Sequence, residues 1–181
     1  MTTVARTGRL ELRQFTSDDA PFILELLNDD AWLRFIGDRG VRTLADAVAY
    51  LRAGPCASYT ANGFGLYMAA RHDGTRVGMC GLVRRDTLDH PDLGYAFLPA
   101  HRAQGYATEA GVAVLAHAWH DIGLARVQAI TDPANTRSIN VLERLGFTWE
   151  RDAALTDGAA PVRIYGRGRD DVGSGVRPPA G

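Results

Sequence analysis

The chain has 181 residues, 46% of them apolar, which is enough for one domain with a sizeable core. Its formal net charge of −1 provides no overall attraction to nucleic acid or to an anionic membrane, so we expect neither as a partner. All 20 basic residues are arginine, which excludes chemistry through a lysine Schiff base.

The two cysteines, Cys56 and Cys80, are far apart and stand in no metal-ligand spacing, so we expect no metal site. Cys80 lies in an apolar strand pattern and is predicted to be a core residue. We find no signal peptide and no stretch near the roughly 20 apolar residues of a membrane span. A cytoplasmic location is therefore expected.

The first third of the chain predicts a strand followed by two helices. Residues 9–15 alternate apolar and polar, as a half-buried strand does. Thr16 or Ser17 can cap the helix that follows, because a hydroxyl there accepts from a free amide. A second helix is predicted from Thr43 to Gly54-Pro55, where proline should end it.

The middle of the chain predicts a β-meander and then alternating elements. Residues 63–85 indicate a hairpin around an Asp-Gly turn, and residues 91–99 a further strand. A long helix is predicted from 105 to 123, a strand at 126–131, and a helix at 135–146 that ends at glycine.

Two strands, FTWERD (147–152) and PVRIYGR (161–167), complete the predicted elements. Together the elements predict a mixed α/β sheet of about seven strands with about four helices on its faces. We expect a single domain over residues 1–168. The Gly-, Pro- and charge-rich tail at 169–181 is predicted to be disordered.

The spacing R-x-x-G-x-A occurs at Arg102, Gly105 and Ala107, between a predicted strand and a predicted helix. A helix start has unpaired N–H groups and partial positive charge, and glycine lets a phosphate approach the backbone. The pattern by itself is also compatible with an ordinary tight turn. A second match at 163–168 has no helix pattern after it and is interpreted as chance.

Two longer segments, GYAFLPAHRAQGYATEA (94–110) and DPANTRSINVLERLGF (132–147), resemble the GNAT superfamily of acyl-CoA-dependent N-acetyltransferases. The resemblance extends from about Gly8 to Arg167 and is nearest to the RimJ/RimL-like subgroup, which acetylates ribosomal-protein N-termini. It implies a mixed, mostly antiparallel sheet in which two strands splay to form an acyl-CoA cleft, with acetyl-CoA as cosubstrate.

The resemblance also implies which residues bind coenzyme A. The pyrophosphate would lie on the loop and first helical turn formed by Arg102, Ala103, Gln104, Gly105, Tyr106, Ala107 and Thr108. Phe97 and Leu98 would pair with the pantetheine arm as an added strand. Asn135 would hydrogen-bond that arm, with Ser138 one turn later on the same face. Ala103 stands where the family often has glycine, and its methyl group is tolerated if φ is negative.

The implied reaction is direct attack of an amine on the thioester. A backbone N–H near Phe97 or Leu98 would stabilise the oxyanion. Leu142 stands where many members have a proton-donating tyrosine, so Ser138 or a water would replace it. Asp92 is the candidate base, acting through water, although it could equally be a surface aspartate. With Asn135, these form the predicted catalytic set; His90 and His101 are alternative bases.

The acceptor is expected to be an amine that is easily deprotonated. An α-amine is roughly 14% neutral at pH 7 and a lysine amine only about 0.04%, so a site with a weak base favours protein N-termini. Four residues are candidates for acceptor binding: Trp32, Arg34, Phe35 and Tyr95.

Three other functions stay open at this point. The acceptor could be a small amine, such as an amino acid or an antibiotic. The chain could bind acyl-CoA without catalysis. A nucleotide-binding protein is a third possibility, but the G-x-G-x-x-G and P-loop spacings are absent. A homodimer is also compatible with the sequence.

Overall fold

The computed structural model describes residues 2–171. The predicted disordered tail lies outside this range except for residues 169–171. Within it, no helix is long and apolar enough to cross a membrane. Eight strands form one mixed sheet in the order β1-β2-β3-β4-β5-β6-β8-β7, and they span Thr3–Arg6, Leu10–Arg13, Leu66–Arg71, Arg76–Val83, Asp92–Phe97, Arg126–Thr131, Thr148–Ala153 and Val162–Gly168 in chain order.

The sheet has one strand more than the sequence predicted. The additional strand is β1, Thr3–Arg6, which pairs antiparallel with β2 at the edge of the sheet. Its four residues are exposed or half-buried, so they show no apolar alternation. A strand of this kind leaves no periodic signal because it is held by backbone pairing rather than by burial.

Six α-helices lie among the described residues, two more than predicted. They span Ala20–Leu27 (α1), Asp30–Phe35 (α2), Leu44–Leu51 (α3), Ala57–Asn62 (α4), Tyr106–His117 (α5) and Thr136–Arg144 (α6).

The predicted helix end at Gly54-Pro55 was wrong. A π-helical turn, Arg52–Cys56, carries the chain through Pro55 and joins α3 to α4. Proline lacks an N–H and its ring clashes with the carbonyl four residues earlier, but a wider π turn accommodates both effects. The helical path ends at Gly63, whose φ of +76° is in the left-handed region.

Helices cover both faces of the sheet. Val114 and Leu115 of α5 are buried in one core cluster, together with Cys80 of β4. Ile23 of α1 and Leu51 of α3 are buried in the other, on the opposite face. The central strands of the sheet are therefore buried between these two cores.

The strands separate between β5 and β6, the only parallel neighbours in the described sheet. Asp92 and Gln128 form their single registered pair, next to a hydrogen bond from the Gln128 N–H to the Pro91 carbonyl of 2.9 Å. Beyond this pair the strands diverge, so the splay that the sequence predicted is present.

Candidate active site

The gap between β5 and β6 exposes main-chain groups of β5. The Leu98 N–H donates to the Val77 carbonyl at 3.0 Å and therefore points toward β4. Because main-chain groups alternate along a strand, the N–H groups of Phe97 and Tyr95 point the other way, into the gap. Of the two residues predicted for the oxyanion position, Phe97 is the one whose N–H faces the gap.

Leu98 therefore does not contribute to the site as expected. Its N–H is paired with β4, and its side chain is buried in the core beneath α1 and α3. The prediction treated two successive residues alike, but their main-chain groups point to opposite sides of β5.

Two adjoining cavities open at the gap. The larger has a volume of about 940 Å³ and the smaller about 720 Å³. Six residues line both cavities, and they include three of the four predicted acceptor contacts as well as the predicted polar pair on α6: Trp32, Phe35, Ile36, Tyr95, Asn135 and Ser138.

The smaller cavity contains most of the predicted coenzyme A contacts. It is lined by Phe97, Arg102, Ala103, Gly105, Tyr106, Ala107 and Thr108. The first bond of α5 runs from the Glu109 N–H to the Gly105 carbonyl at 3.0 Å, so the preceding amides have no partner within the helix. These amides and the positive end of the helix form a cradle suited to a pyrophosphate.

Gly105 provides the backbone conformation that starts α5 next to this cradle. Its φ of +82° is unfavourable for other residues, and a Cβ placed there would lie 3.4 Å from Nη2 of Arg9. From the sequence we expected the Ala103 methyl group to be tolerated at a negative φ. The observed φ is +58°, so its methyl group is accommodated in a strained conformation.

Gln104 does not face the smaller cavity as predicted. Its side-chain amide donates to the Ala100 carbonyl at 2.8 Å, and its main-chain carbonyl accepts from Arg9 Nη1 at 2.9 Å. These bonds direct both polar ends of Gln104 to the outer side of the loop.

Arg9 is a residue that the sequence analysis missed. Its guanidinium lies over the Tyr106 ring, 4.5 Å from the ring centre, and pairs with Glu109 at 2.6 Å. With its bond to the Gln104 carbonyl, it clamps the loop to the start of α5. No local signal could reveal this clamp, since Arg9 and Glu109 are 100 residues apart.

The Arg102 side chain fixes the other side of the loop. Its Nε donates to the Phe97 carbonyl at 2.8 Å, and its Nη2 pairs with the Asp29 carboxylate. Asp29 in turn caps α2 by accepting from the N–H groups of Ala31 and Trp32. Arg102 therefore ties the end of β5 to α2.

A polar pair spans the gap where the cavities meet. The Tyr95 hydroxyl lies 2.9 Å from Ser138 Oγ and donates to the Ser138 carbonyl at 3.0 Å. Asn135 caps α6 by accepting from the Ser138 N–H at 3.1 Å. Burial raises the pKa of Tyr95, so its hydroxyl stays protonated. Leu142 is only 1% exposed and lies in the core.

The predicted base, Asp92, faces the larger cavity at the start of β5. It is 1% exposed and pairs with Arg85, whose Nε lies 2.9 Å from Oδ1. Burial raises the pKa of Asp92 to about 6, although the charge and hydrogen bond of Arg85 oppose the shift. A carboxyl with this pKa is ionised at neutral pH and can accept a proton.

The predicted acceptor contacts are distributed unevenly. Trp32, whose Nε1 donates to the Gly37 carbonyl at 3.0 Å, and Phe35 line both cavities. Arg34 lines only the smaller cavity, and its guanidinium lies 4.9 Å from the Phe35 ring centre. The structure therefore places Arg34 on the coenzyme A side, because side chains of a short helix point in different directions.

Asp132, at the end of β6, also lines the larger cavity and was not singled out from the sequence. Its Oδ1 accepts from the Ala134 N–H at 2.7 Å in the turn before α6. Among residues 2–171, no group of three or more His, Cys, Asp or Glu is arranged to hold a metal ion.

Comparison with known proteins defines the class. Residues 9–148 match the family described as the acetyltransferase (GNAT) domain, and the chain belongs to this family. It is similar to the uncharacterized N-acetyltransferase YoaA of Bacillus subtilis strain 168, with 25% identity over 165 residues, 83% of this chain and 85% of YoaA. The protein is thus an acetyl-CoA-dependent N-acetyltransferase.

Solved structures show the same fold. An acetyltransferase from Agrobacterium tumefaciens str. C58 has a TM-score of 0.78 at 25% identity, covering 92% of this chain and 94% of that one. RimL, a ribosomal L7/L12 alpha-N-protein acetyltransferase solved with coenzyme A, has a TM-score of 0.79 at 18% identity, covering 93% and 99%. AAC(6')-Ib, solved with paromomycin and acetyl-CoA, has a TM-score of 0.72 at 20% identity, covering 90% and 94%.

Proposed function

We propose that this enzyme acetylates the N-terminal α-amine of a protein or peptide, as the RimJ/RimL-like subgroup does. The observation that carries the proposal is the pairing of the carboxylates that line the larger cavity. Its buried carboxylate, Asp92, is paired with Arg85, and its second carboxylate, Asp132, accepts from the Ala134 N–H, so neither is a free base. Such a site acts best on amines that are already partly neutral at pH 7.

In this proposal the smaller cavity binds acetyl-CoA. The amides of residues 105–108 hold the pyrophosphate, and the gap beside β5 admits the pantetheine arm. Asn135 hydrogen-bonds that arm with its side-chain amide. The acetyl carbonyl then lies near the Phe97 N–H, which stabilises the oxyanion.

The acceptor amine enters from the larger cavity, past Trp32 and Phe35. Its nitrogen attacks the thioester carbonyl, the C–S bond breaks, and the thiolate of coenzyme A leaves. Asp92 receives the amine proton through a chain of waters in the larger cavity, because three residues of β5, about 10 Å, separate it from Tyr95. Ser138, held by Tyr95, donates its hydroxyl proton to the departing sulfur and takes a replacement from water. Asp92 returns the amine proton to water, so the net transfer is one proton from nitrogen to sulfur. A thiol pKa of about 8.5 makes this sulfur an adequate leaving group.

A small-molecule amine is the second candidate acceptor. The larger cavity, at about 940 Å³, is within the range of roughly 300–1,000 Å³ that small ligands occupy. The fold does not separate the two candidates, because both RimL and AAC(6')-Ib share it. A cytoplasmic location and a homodimer stay predictions from the sequence.

Release of coenzyme A thiol across an amine panel tests the proposal. The panel contains a peptide with a free α-amine, the same peptide blocked at its N-terminus but carrying lysine, an aminoglycoside and free amino acids. We expect the highest kcat/KM with the free α-amine. Faster acetylation of the lysine peptide or of a small amine would overturn the proposal, and no thiol release with any amine would leave only acyl-CoA binding.

A further inference from the structure

The larger cavity carries an excess of positive charge at the start of β5. Arg39, Arg84 and Arg85 line the cavity, and Arg85 is paired there with Asp92. Arg84 and Arg85 directly follow β4, whose last residue, Val83, is paired with Asp92. The only other charged residue of the lining is Asp132, at the end of β6.

Two of the three arginines keep an unbalanced charge. Arg85 is paired with Asp92, and the two groups cancel. Arg84 is exposed and donates to a neutral acceptor, the Asp89 carbonyl, at 3.1 Å. Arg39 is exposed and forms no ion pair with any residue between 2 and 171.

The Tyr50 hydroxyl adds a neutral donor to this end of the cavity. Tyr50 is half-buried on α3 and lines the same cavity. Burial raises the pKa of the Tyr50 hydroxyl, and the positive charges of Arg39 and Arg85 oppose the shift, so the hydroxyl stays protonated. Guanidinium and phenol donors together suit a carboxylate.

The opposite end of the cavity has the opposite charge. β6 runs parallel to β5, and the Asp92–Gln128 pair places Thr131 level with Tyr95. Asp132 follows Thr131 and therefore lies at the Tyr95 end, where the gap and the Ser138 hydroxyl are found. An ammonium group is favoured at this end and a carboxylate at the other.

The separation of the two ends sets the size of the acceptor. Three residues of a strand separate Asp92 from Tyr95, a distance of about 10 Å. A peptide bound in extended form advances about 3.3 Å per residue. The side chain of its second or third residue therefore reaches the arginines. The amine and carboxylate of a free α-amino acid are joined through one carbon and cannot span the cavity.

We infer that the enzyme prefers peptide acceptors whose second or third residue is acidic, with that carboxylate bound by Arg39 and Arg84 and the α-amine held at the Tyr95 end. The inference rests on the proposed function, because it takes a peptide α-amine as the acceptor. It adds the sequence preference of that acceptor and the residues that recognise it.

The experiment compares hexapeptides that begin with serine and carry Glu, Gln or Lys at position 2 or 3, at saturating acetyl-CoA. Free glutamate and an N-terminally blocked Glu peptide are included. We expect kcat/KM for Glu peptides to exceed that for the isosteric Gln peptides by roughly five- to tenfold, since a half-exposed ion pair is worth about 1 kcal/mol. Lys peptides should be poorer still, and 0.5 M salt should reduce the preference.

Variants assign the preference to the two arginines. Arg39→Glu/Arg84→Glu should reverse the ranking of kcat/KM, so that Lys peptides become the best acceptors. Arg39→Gln/Arg84→Gln should make kcat/KM similar for the Glu, Gln and Lys peptides. Arg71→Glu, which changes the net charge by the same two units as the Gln double variant but on an exposed residue at the end of β3, should retain the preference. The milder Gln variant keeps the test valid if the Glu variant does not fold.

The outcomes separate this inference from the proposed function. Equal kcat/KM for Glu and Gln peptides, or a preference unchanged in both double variants, would overturn the inference and leave α-amine acetylation in place. Acetylation of free glutamate or of another small amine without acetylation of any peptide would overturn both.

Discussion

The Tyr95 hydroxyl on β5 and Ser138 Oγ on α6 lie 2.9 Å apart, directly across the gap that opens between β5 and β6. The same hydroxyl also donates to the Ser138 carbonyl at 3.0 Å. This contact locates the serine hydroxyl where the two cavities meet. It also relates the two residues functionally, because Tyr95 fixes the side chain that we propose as the proton donor.

Ser138→Ala should lower kcat by about 100-fold, the lower end of the usual contribution of a general acid, with little change in the KM for acetyl-CoA. Tyr95→Phe should lower kcat less, since it only releases the serine. The double variant should be no slower than Ser138→Ala, because the two hydroxyls act as one unit. Initial rates of thiol release measure these effects.

A matched control for these variants is Ser17→Ala, which removes an exposed hydroxyl distant from both cavities and should leave kcat unchanged. Independent, multiplicative losses in the double variant would contradict the coupling of Tyr95 and Ser138.

Gly105→Glu should abolish or strongly weaken acetyl-CoA binding, raising Kd by more than about tenfold. The new carboxylate would stand beside the amides that face the pyrophosphate and repel it. Calorimetric titration measures Kd, and circular dichroism verifies the fold. Gly74→Glu is the matched control, since Gly74 in the β3–β4 turn has φ of +86° against +82° for Gly105 and equally imposes backbone strain.

Gly74→Glu should bind acetyl-CoA like the wild type. Unchanged binding in Gly105→Glu would show that the loop amides do not hold the pyrophosphate. A wild type that binds no acetyl-CoA at saturating concentration would remove the cofactor assignment altogether.

The pH profile of kcat/KM should rise through about pH 6 as Asp92 loses its proton, and rise again as the acceptor α-amine becomes neutral near pH 7.8. Asp92→Asn should lower the rate and remove the first rise while keeping the second. Asp86→Asn, an exposed carboxyl in the preceding loop, should retain both. A first rise that persists in Asp92→Asn would belong to another group.

Asp92 should also leave a signature in stability. Its folded pKa of about 6 is above the unfolded value of about 3.9, so its protonated form favours the folded state. The stabilisation is fully present below the unfolded pKa and is lost as pH rises through the folded one. Between pH 4 and 7 the free energy of unfolding should therefore fall less steeply in Asp92→Asn than in the wild type, as measured by urea titration.

Ala103→Gly should stabilise the protein by about 1 kcal/mol, because φ at this position is +58° and glycine adopts that conformation without strain. For a chain of this size the melting temperature should rise by about 2–4 °C. Ala116→Gly, the same chemical change on the exposed face of α5, should destabilise by a similar amount. A loss of stability in both variants would contradict the strain at Ala103.

Much of the fold follows from local patterns. Period-two alternation predicted β2, the Asp-Gly turn predicted the β3–β4 hairpin, and the helical pattern from 105 onward predicted α5. β1 was not predicted because none of its four residues is buried, so the strand has no apolar alternation. The end of the second helix was misplaced because Pro55 is tolerated in a π turn, and that depends on the packing of α3 and α4 rather than on the dipeptide itself.

The site divides in the same way. The sequence by itself located the loop predicted to bind coenzyme A. A strand end, Gly105 and the unpaired amides of a helix start are neighbours in sequence, so their motif could be read directly. Tertiary structure alone decided which main-chain groups of β5 face the gap, that Arg9 clamps Glu109, and that Arg85 neutralises Asp92. Arg9 and Glu109 come from distant segments, and Arg85 meets Asp92 across the β4–β5 loop. The burial that sets the pKa of Asp92 exists only once the sheet and its helices have packed.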